Sequence, residues 1–369
     1  MKVVFVSYNN QRNFDSPQSW LERIKTFAAL LESVAVHCNV SYIKNINYNG
    51  SFLQKGVEYI FLKSMWDKSY FPWRVNKAVK KLQPDIVIVS GIRSPLQVLQ
   101  LRWSLGKKTK IIGRHHADRP PAGIRKLLQQ WADNSFNAYL FTSTGNADEW
   151  KKAGIIKQDK KIYNLVEAST SLARLDKEQS KQQTGMTGNK NFLWVSRLIP
   201  GKDPFTVFKA FELYLRVEPQ ARLYMIYEAG DLLSSVNDMI GQSDALRRSV
   251  FLKGYIPNNE LAVWYSAADL YISGSHAEGG SYALLEAMAC GCIPIVTDIP
   301  AAVEMVGNGK AGIIFKTGDV ADLVEKLKGL SYIDQNKFSV SVQEYFQKEL
   351  SSTAIANKLY GYCKDLLSE

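Results

Sequence analysis

Short β-rich runs alternate with helical stretches twice along this chain, and a polar stretch separates the two series. In the first series KVVFVSY (from Lys2), VEYIFLK (Val57), DIVIVSG (Asp85), TKIIGRH (Thr109) and AYLFTST (Ala138) read as strands. Between them Ser19–Ser33, Trp73–Leu82, Leu96–Leu105 and Gly123–Asn134 carry helical periodicity. The second series runs FLWVS, RLYMIY, SVFLKG, DLYISGS, IPIVTD and AGIIF, with helices between and Asp203-Pro204 as a helix start. Alternation of this kind predicts α/β architecture with mostly parallel sheets. We therefore expect two Rossmann-like, doubly wound domains facing across a cleft, over residues 1–170 and 191–345. Residues 171–190, low in hydrophobicity, read as a linker or exposed loop. The periodic segment in 346–369 is free to pack back on the first domain.

At 369 residues the chain exceeds one ordinary core, which agrees with two domains. No apolar run reaches the ~18 residues of a membrane-spanning helix. MKVVFVSY reads as a first strand and not as a secretory signal. Four cysteines, none at metal-ligand spacing with a histidine, fit a reduced cytoplasmic protein. The net charge of +11 is unevenly spread: residues 1–170 hold 26 Lys and Arg against 12 acidic residues, an excess of +14, and the rest carries −3. Such a domain is either simply well solvated or attracted to anions. No nucleic-acid-binding motif accompanies the charge, so the favoured partner is an anionic membrane surface, with peripheral attachment.

The stretch HAEGGSYALLEAMACGCIPIVTD carries the most chemistry. Its loop joins a strand to a helix, which places it at the carboxyl edge of a parallel sheet, where open α/β folds bind ligands. Gly279, Gly280 and Ser281 offer backbone N–H groups to an anion at the helix start. Glu278 and Glu286 flank that anion site, and carboxylates there make sense as acceptors from hydroxyls. Arg197 and Lys202, in FLWVSRLIPGKDPF, fall at the same edge, and two cations beside helix amino termini suit a departing diphosphate. A ligand with sugar hydroxyls and phosphates is a nucleotide sugar.

With Arg197-x4-Lys202, Glu278-x7-Glu286, GYIPNNELAVWYSAADLYIS, LLEAMACGCIPIVTD and EMVGNGKAGIIFKTGD, the stretch from Asn191 to Asp322 resembles the family-4 retaining glycosyltransferases of GT-B fold. The resemblance implies that Arg197 and Lys202 bind the donor diphosphate, Glu278 the donor-sugar hydroxyls and Glu286 the nucleotide ribose. Tyr255 and Ile256 resemble the segment that packs the base, although ordinary packing explains them equally. A family histidine that approaches the sugar corresponds to His115 or His116, of which His115 is preferred. The implied domain roles are an acceptor side in 1–170 and a nucleotide-sugar side in 191–345. The chain departs from the family in Gly280-Ser281, in SYNNQRNF after the first strand and in Asn164-Leu165-Val166-Glu167, which leaves the donor sugar and the acceptor open.

The implied reaction transfers a sugar from a nucleotide diphosphate donor to an acceptor hydroxyl with retention, and without metal or cofactor. The acceptor is expected to be a glycan or lipid-linked molecule in polysaccharide or lipopolysaccharide assembly. The alternatives are a nucleotide-sugar epimerase on the same fold, which needs no acceptor, and a non-catalytic donor-binding subunit of a transferase complex. Gly307 to Gly312 match Gly-x-Gly-x-x-Gly literally, but the run precedes a strand and so reads as a turn.

Overall fold

The computed structural model describes residues 1–63, 70–116, 118–228 and 230–368. It divides into two compact units, Met1–Ser169 with Ser352–Glu369, and Thr170–Ser351.

Among the described residues the first unit holds eight strands: β1 Lys2–Gln11, β2 Asn39–Ile46, β3 Gly50–Gln54, β4 Val57–Lys63, β5 Ile86–Ser90, β6 Lys110–Arg114, β7 Ala138–Phe141 and β8 Ile162–Asn164. They form one sheet in the order β3-β4-β2-β1-β5-β6-β7-β8, parallel except for the β3–β4 hairpin. Both faces are covered, so the central strands are continuous apolar runs, as in Ile86-Val87-Ile88-Val89. Alternate residues serve opposite cores. Phe5, Tyr42 and Tyr59 pack on one side with Leu31, and Val87 and Val89 pack on the other with Val98, Leu101 and Trp150. The terminal helix Ser352–Ser368 contributes Ile355, Leu359, Cys363 and Leu366 to the first of these cores. Strands β2, β3 and β8 were not expected. In β2 the pattern is hidden by Lys44 and Asn45, which are buried nonetheless.

In the second unit six strands follow: β9 Lys190–Arg197, β10 Ala221–Glu228, β11 Val250–Gly254, β12 Leu270–Ile272, β13 Ile293–Thr297 and β14 Ile313–Phe315. Their order is β11-β10-β9-β12-β13-β14, and every pairing is parallel. The linker expected over 171–190 is corrected by a helix, Lys177–Thr184, that starts at an Asp176 cap and packs on the helix Leu261–Ala267. Its anchors are polar: Lys177 pairs with Asp269, and the Leu175 amide donates to Ser266 Oγ at 2.9 Å. Hydropathy gives no sign of a helix held this way. Gly307 to Gly312 form the turn between the helix Pro300–Met305 and β14, with Gly307, Asn308 and Gly309 all at positive φ.

Candidate functional site

The site is built where β9, β10, β11 and β12 run out at their carboxyl ends. Beyond β9 the chain makes a turn of 3-10 helix, Pro200–Lys202, and Asp203 then adopts the left-handed conformation at φ +40°. Asp203 caps the helix Pro204–Tyr214 by accepting from the Thr206 amide at 3.1 Å and from Thr206 Oγ1 at 2.7 Å. Its second oxygen also meets His276 Nε2 at 2.9 Å, and the His276 amide donates to the Gly201 carbonyl at 2.9 Å. Burial alone would raise the Asp203 carboxyl, but the bonds from His276 and Thr206 outweigh it and hold it below the usual range.

Two glycines let these loops touch. A Cβ at Gly274 would lie 2.6 Å from the Asp203 carbonyl oxygen, and one at Gly230 only 2.3 Å from that of Leu198. Neither backbone atom can move aside cheaply. Backbone contact therefore fixes the loops after β9, β10 and β12 against one another.

That contact brings Lys202 to Glu278. The ammonium is paired with Glu278 Oε1, which also accepts from Ser275 Oγ at 2.8 Å. Both side chains are mostly buried, 17% and 15% exposed. The Ser275 carbonyl is fixed in turn by Thr297 Oγ1 at 2.6 Å. Glu278, Ser275, Ser281 and Thr297 share the wall of a cavity of about 10 Å³, room for roughly one water. The cavity is too small for anything larger than a water, so a bulkier ligand would have to lie outside it.

Glu286 sits one helix turn inside the helix Tyr282–Ala289, 7% exposed, and accepts from Tyr265 Oη at 3.1 Å and Asn258 Nδ2 at 3.2 Å. Burial and the neighbouring Glu286 charge push the Tyr265 phenol well above its usual range, so it stays a neutral donor. Ser281 caps this helix through the Leu284 amide at 3.3 Å. The amides of Gly279, Gly280 and Ser281 donate to no partner among the described residues, and they stand at the positive end of the helix dipole. Arg197 closes β9 and is exposed; its carbonyl accepts from the Ile199 amide at 2.9 Å, and its guanidinium has no ion pair or hydrogen bond among the described residues. Tyr255, 70% exposed, and the half-buried Ile256 follow β11.

Of the candidates, Lys202 and Glu278 are in direct contact, and Ser281 lines the same cavity as Glu278. Gly279 and Gly280 follow Glu278 directly in the loop, and Arg197, Glu286, Tyr255 and Ile256 lie at the carboxyl edge of the same sheet. His115 belongs to the first unit and is corrected. It is 2% exposed, stacked on Phe141 at 4.6 Å, edge-on to Trp150, and held by the Asp118 carbonyl at 2.8 Å. Burial keeps its imidazole below the usual pKa and so neutral. The exposed member of the pair is His116, whose Nδ1 lies 3.0 Å from Glu167 Oε1. Arg114 donates to the Glu167 carbonyl at 2.8 Å and lies over the Phe27 ring. Burial would raise the Glu167 carboxyl, yet His116 and Arg114 bring it below its usual range.

The sequence reading missed Asn258, Tyr265, Ser275 and the Asp203–His276 bond. The last was within reach, since Asp203 adjoins Lys202 and His276 stands two residues before Glu278. Among the described residues no cluster of three His, Cys, Asp or Glu side chains could hold a metal ion.

Two Rossmann-like units, the second with cations and glutamates along one sheet edge, define the GT-B class. Residues 176–346 match the family model for glycosyl transferases group 1. That segment belongs to the group 1 glycosyltransferases, and the chain has the GT-B fold. A poly(glycerol-phosphate) alpha-glucosyltransferase of Bacillus subtilis (strain 168) is 28% identical over 156 residues, 42% of this chain and 23% of that protein. A GDP-mannose:cellobiosyl-diphosphopolyprenol alpha-mannosyltransferase of Xanthomonas oryzae pv. oryzae is 24% identical over 261 residues, 69% of this chain and 66% of that protein. The chain thus spans less than two thirds of either relative's length. The Anabaena protein Alr3699/HepE, solved in complex with UDP, superposes with a TM-score of 0.69 at 14% identity, covering 99% of this chain and 100% of that one.

Proposed function

We propose that this chain is a retaining, metal-independent glycosyltransferase that moves a sugar from a nucleotide diphosphate to an acceptor hydroxyl. The observation that carries this reading is the Lys202–Glu278 pair, at the same sheet edge as the unpaired Arg197 guanidinium and the open amides of Gly279 to Ser281. In the proposed complex Glu286 accepts from the ribose hydroxyls, and Tyr255 and Ile256 flank the base. Glu278 accepts from hydroxyls of the donor sugar. Lys202 and Arg197 stabilise the charge that builds on the diphosphate as the sugar leaves, an effect worth about 2.7–4 kcal/mol per group in comparable sites. The bond from the anomeric carbon to the phosphate oxygen breaks while the acceptor oxygen bonds to the same face. The acceptor proton passes to the leaving phosphate, so no covalent enzyme intermediate is needed. Of the two histidines of the first unit, His116, held by Glu167, is the exposed one.

The acceptor is proposed to be a lipid-linked saccharide or cell-surface polymer, reached at the cytoplasmic face of an anionic membrane. The acceptors named for the two relatives and the +14 excess of residues 1–170 support this. Among the described residues no helix is long and apolar enough to cross a membrane. The test is a thermal-shift screen of nucleoside diphosphate sugars, followed by transfer assays and assignment of the product anomer. A donor at about 100 times its Kd should stabilise the protein by roughly 2.7 kcal/mol. Absence of any shift across the nucleotide panel would remove the donor assignment, and an inverted product would remove retention.

A further inference from the structure

The helix Gly123–Ala132 of the first unit is turned inside out. At helical spacing Ile124, Leu127 and Trp131 lie along one stripe, and they are 75%, 64% and 63% exposed. The residues it buries are Gln129 and Ala132, and Gln129 Nε2 donates to the Ile92 carbonyl at 2.8 Å. A surface helix ordinarily does the reverse. The helix Pro95–Leu105, which packs beside it, carries Trp103 at 89% exposure. Large apolar groups gathered like this on neighbouring helices mark a face that something else covers.

The surrounding charge says what kind of surface that is. From Ile86 to Ala132 the chain has nine lysines and arginines and one acidic residue, Asp118. Arg125 and Lys126 lie on the inverted helix itself, and Lys107 and Lys108 follow the helix that bears Trp103. Indole and aliphatic side chains bordered by cations suit the boundary between lipid headgroups and acyl chains. A second copy of this chain would bring the same positive face and be repelled.

We propose that the helices Pro95–Leu105 and Gly123–Ala132 form a membrane-docking face that rests on anionic lipid. Trp103, Ile124, Leu127 and Trp131 enter the headgroup layer, and Arg125 and Lys126 meet the lipid phosphates. This deepens the membrane part of the reading above and rests on it, but it needs no donor.

The test is co-sedimentation of the full chain with vesicles of equal parts phosphatidylglycerol and phosphatidylcholine, compared with phosphatidylcholine alone. The wild type should bind the anionic vesicles, less so as salt rises. The double substitution Leu127→Ser with Trp131→Ser should weaken binding about tenfold or more. Arg125→Glu with Lys126→Glu should weaken it too, with an effect that shrinks at high salt. All these side chains are largely exposed or half-buried, and an unchanged circular dichroism spectrum confirms that the variants fold. Three outcomes overturn the proposal: no binding by the wild type at low salt, undiminished binding by the Leu127/Trp131 variant, or self-association that this variant abolishes. Nucleotide stabilisation measured on the same variants keeps the two readings apart. A variant that loses vesicles but keeps nucleotide fails only in docking, and a wild type that binds vesicles but no nucleotide refutes only the transferase reading.

Discussion

Replacing Lys202 by alanine should separate two roles of one ammonium. Within the protein it pairs with Glu278, and the two side chains are 17% and 15% exposed. Removing the cation leaves that carboxylate with Ser275 Oγ as its remaining donor among the described residues. Breaking a fully buried pair costs about 3–5 kcal/mol, and breaking a surface pair about 0–1 kcal/mol. At this intermediate exposure the loss should be about 1–3 kcal/mol. The second role is toward the ligand. A charge-assisted bond to a diphosphate contributes about 1.5–3 kcal/mol, so nucleoside diphosphate affinity should fall about 10- to 150-fold. Calorimetric titration separates these effects, because the free nucleoside, which lacks phosphate, should bind wild type and variant alike. Adding Glu278→Gln to Lys202→Ala should recover most of the stability and none of the diphosphate affinity. If the variant binds nucleoside diphosphate within about twofold of wild type, the ammonium does not hold the phosphates and the reasoning fails.

Glu286→Gln keeps its oxygen as acceptor for Asn258 and turns an NH2 to the Tyr265 hydroxyl, which can accept from it, so its Tm should fall less than that of the alanine variant while nucleoside affinity drops. Glu286→Ala should also lose about 1–3 kcal/mol of stability by leaving the Tyr265 hydroxyl unsatisfied, and equal urea midpoints for the two variants would contradict this. Gly274→Ala forces a Cβ to within 2.6 Å of the Asp203 carbonyl oxygen and should cost about 1–3 kcal/mol together with nucleotide affinity. A wild-type Tm in that variant would show that the loops are not fixed as described. Burial lowers Lys44 from 10.5 to about 8, so between these values the unfolded chain holds more protons and the group's contribution to stability rises with pH. Lys44→Met should therefore be most favourable near neutral pH, and its advantage over wild type should shrink by about 1.4 kcal/mol per pH unit across that window in urea titrations. A pH-independent difference would refute a buried, titrating Lys44.

The fold was legible wherever burial on both faces makes a strand continuously apolar, as in DIVIVSG and IPIVTD. It was hidden where polar anchoring replaces apolar patterning. Lys44 and Asn45 disguise β2, and an ion pair to Asp269 holds the helix Lys177–Thr184. The site was legible as residue types at a sheet edge, because strand ends and helix starts can be read from Asp203-Pro204 and from HAEGGSY. Its internal contacts were not. The backbone approaches at Gly274 and Gly230 depend on distances between loops far apart in sequence. Adjacent residues such as His115 and His116 point to different surroundings, and only packing decides which is buried.

The central claim is tested most directly by a crystal structure of the chain with a nucleoside diphosphate bound. The account predicts the diphosphate within about 3 Å of the Lys202 ammonium and the Arg197 guanidinium, with a ribose hydroxyl donating to Glu286. A nucleotide bound elsewhere, or one that leaves Arg197 and Lys202 out of reach of its phosphates, would contradict it.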